Sequence, residues 1–273
     1  MRLPYKSAPY WVVLILVVTA LGFWPTFFSS LDAAPLAFHV PGMTATAWIS
    51  LGGFQRWSIH HNKRKWHRMI GKTSLALFPL LAAGFIMIIN VSAQGYLDVE
   101  NVYYQQLGPS FAWGLGVAFF AYLWFFFQAL RYRRNVDLHS AYMLSTLFLV
   151  WEAPVSRLIL GFVPFMSVEG PDDFINISHA VIIGISMAMI FAIILYLLDT
   201  SRRKPFLVAA IFMAIQIAGF LLLAEPESRS TLFTAYAQLP PIFTVGTGFI
   251  LGLLSAWFGW RYPVNSKMKS EYS

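Results

Sequence analysis

Apolar residues in this chain fall in blocks of about 20, separated by short charged segments, and that pattern admits few folds. The hydrocarbon layer of a bilayer is roughly 30 Å thick and an α-helix rises about 1.5 Å per residue, so one block is one span. In lipid each span must satisfy its own backbone hydrogen bonds, which selects helix. Only 11% of the 273 residues are charged, against about 25% in soluble domains. The blocks lie at about 10–29, 37–57, 73–93, 110–130, 140–162, 175–198, 205–224 and 240–260. They predict an all-α fold, a polytopic transmembrane bundle of about eight helices. The first block is too long and too aromatic for the apolar stretch of a typical signal peptide and reads as an uncleaved helix. Ala33-Ala34 is the one hint of a cleavage site.

Lysine and arginine set the orientation. Every one except Arg157 and Arg229 falls on one side of the eight-span arrangement. They cluster at Arg56–Lys72, at Arg131–Arg134, at Arg202–Lys204 and at both ends of the chain. The opposite loops hold Asp32, Asp98, Glu100, Glu169, Asp172, Asp173, Glu225 and Glu227. The basic side is therefore expected in the cytoplasm, with both termini. A net charge of +7 so distributed is a topology signal and argues against nucleic-acid binding. The absence of cysteine excludes disulfides, thiolate metal sites and iron–sulfur ligation. With no soluble domain and no clear repeat, residues 1–273 read as a single membrane domain. Its core is at about 36–160, with additional helices at 10–29 and 175–260. Gly52-Gly53, Gly114, Gly116, and the G-x-x-x-G pair Gly248 and Gly252, mark close helix contacts.

Depth sorts the histidines. His67 and His139 stand just before the third and fifth spans at the basic side. His39 and His179 open the second and sixth from the other side, and His60 and His61 belong to the basic loop. Paired histidines on facing helices are what six-coordinate haem b requires, and two levels of pairs would make a transmembrane electron path. A histidine at a helix end also suits the interface with no ligand at all.

The stretch His39-Val-Pro-Gly42, Gly52-Gly-Phe-Gln55 and His67-Arg-Met-Ile-Gly71-Lys72 resembles an uncharacterised family of bacterial four-helix membrane proteins. That family has an outer His-Gly start, a Gly-x-x-Gln helix end and a closing His-Arg-x-x-Gly-Arg. Its second half has a basic turn, then His-Arg-x-x-Met, then an arginine one helix length on. Here these positions are Arg131–Arg134, Asp137-Leu-His139-Ser-Ala-Tyr-Met143 and Arg157. The match covers about residues 36–160. It departs at Ser140, where the family has Arg, and at Leu144-Ser145, where Arg-Ser is usual. The resemblance implies a bacterial inner-membrane location and pairs His67 with His139. A haem there follows from a further analogy to diheme cytochromes b, at the level of fold.

Glu152 and Arg157 lie inside the fifth span, where a charge is costly unless paired or hydrated. Five residues apart, they point about 140° apart on an ideal helix and cannot satisfy each other unless the helix opens at Pro154. Gln55 ends the second span; Asn90 and Gln216 could bond across helices. The expected function is membrane electron transport by a cytochrome b-like protein, with haem b between spans two to five and a quinone or protein as electron partner. His67 and His139 would be the axial metal ligands, His39 and His179 a second pair, and Lys72 and Arg131 propionate partners. Two other readings stand beside it. One is an accessory or assembly subunit of a membrane, for instance respiratory, complex. The other is a small-solute transporter using Glu152 and Arg157, which the scarcity of mid-membrane polar residues disfavours.

Overall fold

The computed structural model describes residues 7–33, 35–199, 203–222 and 230–264. Arg2, Lys6, Ala34, Arg202, Glu225, Glu227, Arg229, Lys267 and Lys269, all used above, lie outside the described residues. The described chain is helical: α1 Ala8–Phe23, α2 Leu36–His60, α3 Arg64–Gly71, α4 Ser74–Leu97, α5 Val102–Arg131, α6 Val136–Phe148, α7 Glu152–Phe162, α8 Phe174–Leu198, α9 Arg203–Leu222, α10 Ser230–Ala237 and α11 Pro241–Arg261. Among the described residues six stretches are long and apolar enough to cross a membrane: Ser74–Leu97, Val102–Arg131, Val136–Phe162, Pro171–Leu198, Lys204–Leu222 and Pro241–Arg261. Helix α2 has the length, at 25 residues, but falls outside that set. Helix α1, at 16 residues, is shorter than a full crossing.

Two elements differ from the sequence expectation. The segment after α2 is not all loop. Asn62 takes a left-handed conformation (φ 59°), and Lys63 N–H donates to Ser58 O (2.8 Å) while Asn62 N–H donates to Ile59 O (3.2 Å). This is a Schellman stop with asparagine where glycine is usual, and it turns the chain directly into α3. The fifth span is two helices, broken at Leu149–Trp151 rather than at Pro154. Pro154 instead sits in the first turn of α7, where a missing N–H leaves no intrahelical bond unmade.

Helix α5 is central. Ala121, Phe125 and Ala129 form one stripe, packed with Ala141, Phe148, Ile185, Phe206 and Met213 of α6, α8 and α9. The neighbouring stripe, Tyr122, Phe126 and Leu130, packs with Val12, Trp48, Phe78, Leu147 and Ala256 of α1, α2, α4, α6 and α11. The four-residue repeat places each stripe on one side of the helix. Polar bonds cross the same seams. Trp48 donates its indole N–H to the Thr146 hydroxyl (3.1 Å), Gln216 its amide to Gly114 O (2.9 Å), and Asn90 its amide to the Thr244 hydroxyl (2.8 Å). Asn90 and Gln216 thus bond across helices as expected. Helix α11 lies along α4, and its glycines make the approach possible. A Cβ on Gly252 would stand 2.8 Å from Pro79 Cα.

Candidate functional site

His67 and His139 both lie at the basic end, within electrostatic reach of each other. Asn135 caps α6 by accepting a hydrogen bond from Leu138 N–H (3.1 Å), which sets His139 one turn into that helix. His67 sits on the inward side of α3. Each ring reaches across to the backbone of another helix: His67 Nδ1 donates to Gln55 O of α2 (3.2 Å), and His139 Nδ1 donates to Ala129 O of α5 (2.8 Å). A carbonyl only accepts, so each Nδ1 is the N–H and each Nε2 holds the lone pair. No residue in the described part of the chain bonds either Nε2. Burial holds the His67 pKa below the ordinary imidazole value; the Gln55 carbonyl opposes this and the Arg56 charge adds to it. The imidazole is therefore neutral near pH 7. The two rings are close enough for His67 to act electrostatically on His139, and Arg56 acts on both.

Around them the polar groups are unevenly satisfied. The Gln55 amide nitrogen is buried with no partner and lies over Gly71, 3.6 Å from where a Cβ would be. Arg133 also acts on His139, while its guanidinium donates to Leu130 O (3.1 Å) and lies 4.6 Å from the Trp260 ring centre. Arg131 turns instead over Phe127 (5.4 Å), its Nε buried without a partner. Lys72 is exposed at the end of α3. Arg56 and Arg133 act electrostatically on the imidazoles; Lys72 and Arg131 were the propionate partners chosen from sequence. Position next to Gln55, at the end of the second span expected from sequence, was the one signal for Arg56. For Arg133 there was none beyond membership of the basic turn.

The fold does not assemble the other pair. His39 Nδ1 donates to Pro35 O within its own helix (3.2 Å), and its ring lies 5.2 Å from Phe27. His179 is exposed on α8. Helices α1 and α7 stand between α2 and α8, packing on each other and on one of them each. Among the described residues no group of three or more His, Cys, Asp or Glu is gathered.

Glu152 and Arg157 form a separate cluster. Glu152 opens α7, where Ser156 hydrogen-bonds its carboxyl and Gly184 of α8 gives it room. Arg157 donates to Ala153 O (2.8 Å) and lies 4.3 Å over the Phe23 ring of α1. The two charges act on each other and on Tyr103, yet they make no direct ion pair. The helix opens before Glu152 and not between the two, so the spacing argument holds. Glu152→Leu is accordingly expected to accumulate in the membrane at the wild-type level, because no ion pair is lost. A sharp fall in membrane-fraction yield would instead identify Glu152 as a structural partner. A cavity of about 610 Å³ lies between α4, α5, α10 and α11. Its lining is mostly apolar and includes neither Glu152 nor Arg157.

Compared with family models, with curated proteins and with solved structures, the chain matches none. Its class is that of an all-helical, multi-pass membrane protein. Any narrower function has to come from the geometry of its own residues.

Proposed function

We propose that this protein is a membrane electron carrier with one haem b at the basic end, bound by Nε2 of His67 and Nε2 of His139. The observation that supports it is the pair of Nδ1–carbonyl bonds. Metal-bound histidines characteristically donate the other ring N–H to a carbonyl or carboxylate, which fixes the tautomer and the ring orientation. Here two rings on different elements are both held that way, with both lone pairs open. The donor set fits the group. Bound there, haem supplies a one-electron iron couple, with axial ligands and hydrogen bonds tuning its potential. The chain's own residues do the rest. Arg56 and Arg133 would meet anionic propionates, the free Gln55 amide would donate to one, and the apolar bundle would exclude water. A quinone or a protein partner in the bilayer would exchange the electron.

The test is the visible spectrum of protein purified from haem-replete cells. A reduced six-coordinate b-type spectrum with one iron per chain is expected. Colourless, fully folded protein would overturn the proposal and leave the accessory-subunit reading.

The same proposal takes eight spans, with α1 and α2 included, both termini in the cytoplasm, and a bacterial inner membrane. Since the chain has no cysteine, Lys65→Cys should label only from the cytoplasm and Glu100→Cys only from the other side. Labelling of both from one side would refute this arrangement.

A further inference from the structure

Helix α3 carries a surface that the haem proposal does not use. It spans eight residues between the end of α2 and the start of α4. Those neighbours place it at an end of the bundle, at the corner between two longer helices. At about 100° per residue its side chains fall into three sectors. His67, Ile70 and Gly71 lie within about 100° of one another; they are the partly buried residues, turned onto the protein. Arg64, Arg68 and Lys65 fill a second sector of about 100°, all exposed. Met69 and Trp66 fill the third, about 60° wide, and are 51% and 52% exposed. Lys63 and Lys72 extend the basic sector at either end. No acidic residue or hydrogen-bond acceptor in the described part of the chain engages the side chains of Lys63, Arg64, Lys65, Arg68 or Lys72.

An unpaired basic sector beside an exposed apolar one is the arrangement of a helix lying in a bilayer interface. There the apolar side chains dip toward the acyl region and the cations meet phosphates. We infer that α3 is a docking site for anionic phospholipid headgroups, with Trp66 and Met69 as its apolar anchors. Five cations within ten residues supply the charge complementarity. A neutral headgroup would leave them facing its own cationic moiety. Because the first sector carries His67, a docked α3 also holds that ring against Gln55. The inference does not depend on iron, and the readout below is independent of any cofactor.

The cysteine-free chain allows a direct test. Met69→Cys, labelled with an environment-sensitive fluorophore, is reconstituted at full length in nanodiscs of phosphatidylcholine alone or mixed with phosphatidylglycerol. The anionic lipid should shift the emission to the blue, and high salt should reverse the shift by screening. Removing three charges (Arg64→Gln, Lys65→Gln, Arg68→Gln) should move the docking equilibrium on the order of 100-fold toward the undocked state, at about fivefold per cation. A label at Glu100→Cys should not respond. Equal emission in neutral and anionic discs, or an unchanged response in the triple variant, would overturn the inference. A shift that appears only when another protein is added would assign α3 to a protein partner instead.

Discussion

His139→Ala should abolish the six-coordinate spectrum. The ring is fixed at two points, by the backbone of α6 and by its bond to Ala129 O of α5 (2.8 Å). His67→Ala should be milder in one respect. It removes a ligand from the peripheral helix α3 and leaves the His139 side intact, so a five-coordinate, high-spin species is expected. His39→Ala and His179→Ala should change nothing, because α2 and α8 are held apart by α1 and α7. The measurements are the reduced-minus-oxidised difference spectrum and the haem-to-protein ratio. Loss of colour in the His39 or His179 variants with the His139 variant unaffected would move the cofactor to the other end of the protein and sink the assignment.

Gly252→Leu should strongly destabilise the seam between α4 and α11. A Cβ at this position would lie 2.8 Å from Pro79 Cα and 3.0 Å from Ala82 Cβ. One of these is backbone and the other is the first atom of a fixed side chain, so neither neighbour can swing aside. Overpacking in a well-packed core typically costs about 1–3 kcal/mol, and a leucine against backbone belongs at or above the top of that range. Helix α11 should then lift from α4, weakening the Asn90–Thr244 bond two turns away. Gly246→Leu is the control, since nothing lies within 4 Å of its Cβ position. Thermal unfolding in detergent should separate the two variants clearly. Equal melting temperatures would mean that α11 is not seated against α4 through its glycines.

The helical class was legible in the sequence because lipid solvation leaves a long, crude signal: blocks of apolar residues and one-sided charge. That the histidines lie near helix ends was legible too, because apolar blocks mark where helices begin. What a periodic pattern does not carry is rotation. His67 acts electrostatically on His139 while α1 and α7 stand between the helices of His39 and His179, and all four sit comparably near helix ends. Local breaks were equally hidden. Asn62 stops α2 through a left-handed residue, for which asparagine is a weaker signal than glycine. The break before Glu152 has no proline or glycine of its own, and Pro154, the visible marker, proved harmless in a first turn. Arg56 was passed over as a span terminus because only the folded α2–α3 corner turns it toward the imidazoles.

The long seam between α4 and α11 bears on how the protein is made. Helix α4 is complete about 140 residues before α11 leaves the ribosome, so during synthesis its glycine-receiving face has only lipid or insertion machinery to lie against. The Asn90 amide, which bonds Thr244 and receives the Tyr236 hydroxyl proton, spends that interval without its native partners in a solvent that offers none. Val264 N–H, bonded to Arg131 O (3.0 Å), then latches the late helix to the end of α5. Biogenesis of this bundle is therefore a closing reaction, in which α11 must be delivered to α4 and α5. Cells short of membrane chaperones should accumulate a protease-sensitive form open along that one seam.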